Sequence, residues 1–192
     1  MPDENTIFPM ISTQPKNGCS TFGCYNFAFM TSNVRGRLPY LVLVAAILAL
    51  DRWTKLLIQS RLDLDDTVSV IDGFFNITYV RNTGVAFGIF SSISSPAKSV
   101  LLSAFAALAA VLVIGYSLRT PIGNRPVHVA LALILGGALG NLYDRVAYGY
   151  VVDFLEFYLR TYHWPSFNVA DSAISIGVIL LAIGITRNET PR

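Results

Sequence analysis

Charged residues are scarce in this sequence. Only 14% of its 192 residues are Asp, Glu, Lys or Arg, whereas soluble globular domains carry about a quarter. With 53% hydrophobic residues and a mean hydropathy of +0.53, the chain has too few charges to cover a water-facing surface. This excludes a disordered tail protein and favours a small integral membrane protein. The net charge of +2, with no Lys/Arg-rich run, also excludes a nucleic-acid-binding stripe.

Cysteine and histidine are rare as well. The two cysteines, Cys19 and Cys24, have a C-x4-C spacing that matches no metal-ligand signature, and we interpret them as a reduced pair. This excludes a disulfide-stapled secreted domain. The two histidines, His128 and His163, form no H-E-x-x-H motif, which argues against a zinc metalloprotease. No G-x-S-x-G elbow is present for a serine nucleophile.

Four apolar segments approach the ~20 residues that are needed to cross a bilayer. They lie at about 38–58, 99–118, 127–142 and 171–186, which predicts an all-α membrane protein with four transmembrane helices. Arginines in the short flanks place both termini in the cytoplasm by the positive-inside rule. These are Arg35, Arg37, Arg119, Arg125 and Arg187.

Two stretches outside these segments carry structure of their own. Residues 75–80 are β-rich and partly alternating, and Asn82-Thr83-Gly84 is a turn signal, which predicts a small extracytoplasmic β-strand module. Residues 150–158 are apolar or aromatic at most positions and predict a short interfacial helix. Residues 1–29 are polar and lack a signal-peptide pattern. We expect them to be either a dispensable extension or the product of a start assigned too far upstream, ahead of a single membrane domain at 30–192.

Charged residues at membrane depth need a partner or a task, and those of this chain fall on the non-cytoplasmic side. Asp51 and Lys55 have the i,i+4 spacing of a helical ion pair. Asp144 and Arg145 are an interfacial charge pair on the simplest interpretation. Asp171 has the spacing of a capping box with Asn168. Each of these residues therefore has a structural explanation as well as a functional one.

Asp153 is harder to explain as a structural residue, because it interrupts the apolar run Tyr150-Val151-Val152-Asp153-Phe154-Leu155. The alternative is an acid on the wet face of an interfacial helix. Asp153 and Asp171 flank a short connection, so both lie near the same membrane face. Two carboxylates within a few Å cannot both ionise, and such a pair can activate water while protonating a carbonyl. Spacing alone does not show that the two acids meet.

Several blocks of the chain, from about residue 38 to 185, resemble those of bacterial lipoprotein signal peptidase, also called signal peptidase II. The blocks occur in the family's order and at fitting separations. They are Asp51-Arg52-Trp53-Thr54-Lys55 for D-x-x-[ST]-K, Asn82-Thr83-Gly84-Val85-Ala86-Phe87 for N-x-G-x-A-[FW], Gly136-Gly137-Ala138-Leu139-Gly140-Asn141-Leu142-Tyr143-Asp144-Arg145 for G-G-x-x-G-N-x-x-D-R, Val151-Val152-Asp153-Phe154 for V-x-D-F, and Phe167-Asn168-Val169-Ala170-Asp171 for F-N-x-A-D.

The resemblance implies an aspartic peptidase with Asp153 and Asp171 as the catalytic dyad. It further implies that four residues contact substrate or orient the carboxylates, namely Asn82, Asn141, Arg145 and Asn168. It also implies structural roles in the site for Asp51, Lys55 and Asp144.

The substrates implied are prolipoproteins, cleaved on the N-terminal side of a cysteine that already carries a diacylglyceryl group. The implied location is the bacterial inner membrane, in contact with membrane lipids and with the active site at the periplasmic face. No metal, organic cofactor or nucleic acid is implied.

Two other functions remain open from the residues alone. A small ion or proton transporter would use its acids as a relay, but a relay needs acids along the membrane depth rather than at one face. A non-catalytic assembly factor would have acids that form only structural pairs. The small residues Gly136, Gly137 and Gly140 either leave room for a signal-peptide helix or let helices of this chain approach closely.

Overall fold

The computed structural model describes the backbone of residues 21–84 and 96–188, and the side chains of residues 35–84 and 98–184. The predictions for residues 1–20, for the cysteine pair and for the side chains Val85, Ala86 and Phe87 lie outside the described residues. The chain divides into two compact units, Met1–Arg35 and Gly36–Arg192. All residues of the predicted site belong to the second unit.

Each predicted apolar segment lies within one helix. The helices are α1 (Thr21–Arg61), α2 (Pro96–Arg119), α3 (Arg125–Tyr148) and α4 (Val169–Asn188). Among the described residues, two helical stretches are long and apolar enough to cross a membrane, namely Lys98–Arg119 and Arg125–Tyr148. The apolar part of α4, Val169–Gly184, is shorter, and α1 carries charges near its C-terminal end. Of the described side chains of α2, only Ala110 is fully buried within the protein, as expected of a helix that faces lipid.

Glycines bring α3 close to its neighbours. A Cβ on Gly136 would lie 2.9 Å from Ile47 of α1, and a Cβ on Gly137 would lie 2.3 Å from the carbonyl oxygen of Ala170 in α4. The glycine face of α3 therefore packs directly against α1 and α4 of the same chain. Of the two explanations that the sequence left open, the structure supports close helix packing, which needs small residues at the contact.

The strands form one antiparallel series in the order β1-β2-β3-β4. Their bounds are β1 (Thr67–Ile71), β2 (Phe75–Asn82), β3 (Val151–Leu159) and β4 (Tyr162–His163). Strands β1 and β2 form a hairpin whose turn contains Gly73 at φ +78°, a backbone conformation that favours glycine. Strand β2 confirms the strand predicted at 75–80.

The prediction of an interfacial helix at 150–158 is wrong, because this segment is the strand β3. Gly149, at φ +80°, ends α3, and β3 then pairs with β2 so that Val80 lies opposite Asp153. Residues 151–154 are all buried, so both faces of the strand are covered at this end. A strand that is buried on both faces lacks alternation, and its apolar run cannot be distinguished from a short helix by periodicity.

The sheet packs against the end of α1. Ile58 forms a buried cluster with Tyr79 of β2 and with Val152 and Phe154 of β3. Because successive side chains of a strand point to opposite faces, Val152 and Phe154 face this cluster while Asp153 points the other way. The cluster thereby fixes the direction in which the Asp153 carboxylate points.

Candidate active site

Two carboxylates from different elements come together beside the sheet. Asp153 lies on β3 and is 2% exposed. Asp171 lies in the first turn of α4 and is half-buried. Asn168 donates to both, through its side-chain Nδ2 to Asp153 Oδ1 at 2.7 Å and through its backbone N–H to Asp171 Oδ2 at 3.2 Å. Spacing alone did not show whether the two acids meet. In the structure, Asn168 hydrogen-bonds to both carboxylates.

Asparagine amides hold the remaining carboxylate oxygens. Asn82 Nδ2 donates to Asp153 Oδ2 at 2.8 Å, and Asn141 Nδ2 donates to Asp171 Oδ1 at 2.7 Å. All four carboxylate oxygens of the pair therefore accept a hydrogen bond from an asparagine. Asn82 comes from the end of β2 and Asn141 from α3, so four elements contribute to the site.

The capping box predicted at the start of α4 is confirmed. The backbone N–H of Asp171 donates to Asn168 Oδ1 at 3.0 Å, while Asp171 Oδ2 accepts from the backbone N–H of Asn168. This reciprocal pair satisfies two N–H groups that have no partner within the helix. The cap also gives Asp171 a fixed position relative to the helix N-terminus, so the structural and functional interpretations of this residue are compatible.

Burial raises the pKa of the Asp153 carboxyl to about 7, because removal from water disfavours its charged form. The negative charge of Asp171 adds to this effect, whereas the hydrogen bonds from Asn82 and Asn168 and the charge of Lys55 oppose it. A carboxyl group with this pKa can carry a proton near neutral pH, which is the property required of a general acid.

A buried ion cluster lies behind the carboxylate pair. Lys55 Nζ is 2.7 Å from Asp51 Oδ2, 2.8 Å from Asp144 Oδ2 and 3.1 Å from Asn141 Oδ1. The lysine is completely buried and both acids are at most 2% exposed. Asp51 Oδ1 also accepts the backbone N–H of Ala170 at 2.9 Å, which ties α1 to the first turn of α4. The predicted pair of Asp51 and Lys55 is confirmed.

The predicted charge pair of Asp144 with Arg145 is wrong. Neighbouring residues on a helix point in different directions, and Asp144 instead contacts Lys55 and, at 3.5 Å, Arg52. Arg145 turns toward the carboxylate pair, where its Nη1 lies 3.4 Å from the carbonyl oxygen of Asn141 and its Nη2 lies 3.5 Å from that of Gly84. It does not hydrogen-bond either carboxylate directly.

A cavity of about 530 Å³ opens beside the two acids. Its wall includes residues that the sequence analysis did not single out, on one face of α4 and on the segment that leads into it. The lining residues are Asn82, Asp153, Trp164, Pro165, Ser166, Phe167, Asp171, Ser172, Ile174, Ser175 and Ile176. The i,i+4 spacing of Asp171 and Ser175 is the one signal in the sequence that could have identified this face.

The other candidate chemistries do not fit the described residues. His128 is buried near the start of α3, about 20 Å along the helix from Asn141 at 1.5 Å per residue, and it stacks on Tyr40. It is therefore remote from the acids. In the described part of the chain, no group of three or more His, Cys, Asp or Glu side chains is arranged to hold a metal ion.

Comparison with known proteins identifies a family for this chain. The family described as Signal peptidase (SPase) II matches residues 43–187. Lipoprotein signal peptidase of Geobacter sulfurreducens is 48% identical over 146 residues, which cover 76% of this chain and 90% of the relative. That of Syntrophus aciditrophicus is 40% identical over 150 residues, which cover 78% of this chain and 93% of the relative.

Solved structures show the same fold. A bacterial membrane enzyme determined by the in meso method at 2.3 Å resolution superposes with a TM-score of 0.70 and 32% identity, covering 80% of this chain and 93% of that one. A second, at 1.9 Å resolution, has a TM-score of 0.69 and 31% identity. The family model spans residues 43–187 and the relatives cover most of this chain, so the chain belongs to the signal peptidase II family.

Proposed function

We propose that Asp153 and Asp171 are the catalytic dyad with which this peptidase removes signal peptides from prolipoproteins. The observation that carries the proposal is the shared contact of both carboxylates with Asn168 at the edge of a cavity. Two acids placed in this way share a proton because they cannot both ionise at close range. This is the arrangement that aspartic peptidase chemistry requires.

The hydrolysis uses the two carboxyl groups as a base and an acid. The ionised carboxylate takes a proton from water while the water oxygen forms a bond to the carbonyl carbon of the scissile peptide. The protonated carboxyl gives its proton to the carbonyl oxygen, which yields a neutral tetrahedral diol. When the carbon–nitrogen bond breaks, the leaving amine takes a proton from the carboxyl that received one from water, and a diol hydroxyl returns its proton to the other carboxylate.

The substrate we propose is a precursor whose cysteine already carries a diacylglyceryl group, cut on the N-terminal side of that cysteine. The apolar side of the cavity supports this choice, because Ile176 and Trp164 line it and are about half exposed. Membrane lipid and the acyl chains of a modified cysteine can reach such a wall. The polar side of the cavity carries the two carboxylates that would meet the peptide bond.

We further propose that all four helices span the inner membrane, with both termini in the cytoplasm and the dyad at the periplasmic face. Two arginines support this orientation, because Arg119 ends α2 and Arg125 begins α3, on either side of the short connection between them. The sheet and the carboxylate pair lie at the other end of the helices. In this arrangement α1 crosses the bilayer with its charges at the outer end, where Lys55 is neutralised by buried acids.

The function is tested with a purified precursor in its diacylglyceryl-modified and unmodified forms. We expect a gel shift only with the modified form, and mass spectrometry should find the lipidated cysteine at the new N-terminus. A precursor with serine in place of that cysteine is the matched control and should stay intact. Efficient cleavage of the unmodified precursor, or a cut at another bond, would contradict the proposed specificity.

A further inference from the structure

The asparagine amides of the site cannot rotate freely, because each carbonyl oxygen is held by a group that only donates hydrogen bonds. Asn82 Oδ1 accepts the backbone N–H of Gly84 at 2.8 Å, so its Nδ2 must face Asp153. Asn168 Oδ1 accepts the backbone N–H of Asp171 at 3.0 Å, so its Nδ2 also faces Asp153. Two neutral side-chain amides therefore donate hydrogen bonds to the Asp153 carboxyl.

The third amide is held by a charge. Lys55 Nζ lies 3.1 Å from Asn141 Oδ1, and an ammonium group has donors but no acceptor. Asn141 must therefore turn its Nδ2 toward Asp171 Oδ1, which it reaches at 2.7 Å. A positive charge on the carbonyl side of an amide polarises the N–H on the other side, which strengthens the hydrogen bond that this N–H donates.

The surroundings of the two carboxylates are consequently unequal. Asp171 accepts the polarised amide and a backbone N–H at the N-terminus of α4, where the helix dipole favours negative charge. Asp153 lies on a strand, is almost completely buried and accepts only neutral side-chain amides.

The other charged groups around the pair leave this inequality in place. Arg145 acts on both carboxylates and more strongly on Asp171. Asp51 and Asp144 both contact the Lys55 ammonium, at 2.7 and 2.8 Å, and Asp144 also lies 3.5 Å from Arg52, so these two negative charges face two positive ones.

We propose that Lys55, acting through Asn141, makes Asp171 the ionised carboxylate and leaves the shared proton on Asp153 in the resting enzyme. This inference rests on the proposed function of the dyad and assigns its two roles. Asp171 takes the proton from water, and Asp153 gives its proton to the carbonyl oxygen. Lys55 and Asn141 are positioning residues, because in this account they act through Asp171.

The test is the pH dependence of kcat/KM for two variants that each remove one amide donor. Asn141→Leu should move the acid limb to higher pH by about one unit, because the ionised base loses a donor that stabilises its charge. Asn82→Leu should leave the acid limb in place and move the basic limb to higher pH by a similar amount, because the general acid then holds its proton more tightly. Lys55→Gln, which removes the positive charge that polarises the Asn141 amide, should shift the acid limb in the same direction as Asn141→Leu.

Each result decides between the assignments. If the two asparagine variants exchange their effects, Asp153 is the base and the proposal is wrong. If both limbs move equally, or if kcat falls at every pH without a shift, the proton is not localised by these contacts and the proposal is also wrong. The asparagine pair decides this even if Lys55→Gln does not fold. Absence of cleavage by the parent enzyme at any pH would instead overturn the proposed function itself.

Discussion

Single residues in this site obtain their orientation from partners that are distant in the sequence. Asn141 is held by Lys55, which lies 86 positions away, and Asp171 is held by Asn141 from 30 positions away. The family motifs imply that these residues belong to one site. They do not show which amide donates a hydrogen bond to which acid, because that depends on how three helices approach one another.

The buried ion cluster gives a prediction at this scale. Lys55→Met leaves the carboxylates of Asp51 and Asp144 buried and without their cation. Removing one partner of a buried ion pair costs about 3–5 kcal/mol, and we expect the free energy of unfolding to fall by about that amount. Arg61→Met, at an exposed position on the same helix, should change it by less than about 0.5 kcal/mol. Unfolding in detergent micelles checks this, and equal losses in both variants would contradict the account.

Elements differed in how far the sequence could predict them. The helices follow from apolar length, and β2 follows from its partial alternation and its turn signal. Strand β3 was predicted as a helix, since four consecutive buried residues remove the alternation that identifies a strand. The pairing of β2 with β3 joins segments about 70 residues apart, and nothing local in either segment specifies it.

Packing between α3 and α4 gives the prediction at the scale of elements. A Cβ on Gly137 would lie 2.3 Å from the carbonyl oxygen of Ala170, so Gly137→Ala must displace the first turn of α4. We expect a loss of about 1–3 kcal/mol in unfolding free energy, together with a lower kcat, because Asp171 follows Ala170 in that turn. Gly115→Ala on α2 is the matched control, since among the described residues no side chain and no neighbouring element lies within 4 Å of its added Cβ. Thermal unfolding and cleavage rates should separate the two variants.

At the scale of the whole molecule, the sheet and the dyad lie at one end of the helices and the short connection between α2 and α3 lies at the other. The arrangement explains why a chain with so few charges concentrates its acids at one face. Under the proposed function, water, the scissile peptide bond and lipid meet at this face. In the proposed topology this face is periplasmic, as the positive-inside rule predicts from the arginines on the opposite side.

The orientation can be measured with single cysteines in a background that carries Cys19→Ser and Cys24→Ser. Ser69→Cys lies on the exposed strand β1, and Gly123→Cys lies in the exposed connection between α2 and α3. A membrane-impermeant maleimide added to intact spheroplasts should label the first position only. Both positions should react after the membrane is opened. Labelling of the connection in intact spheroplasts would reverse the proposed topology.

The central claim is that two carboxylates perform the hydrolysis, and the most direct measurement compares three acids in one assay. Three variants are reconstituted with diacylglyceryl-modified prolipoprotein, namely Asp153→Asn, Asp171→Asn and the control Asp72→Asn. The control changes an exposed acid in the hairpin turn. We predict that each dyad variant keeps its melting temperature and loses cleavage by a factor of about 100 or more, as expected when a general acid or base is removed. The control should cleave at the parent rate. Full activity of either dyad variant would contradict the account.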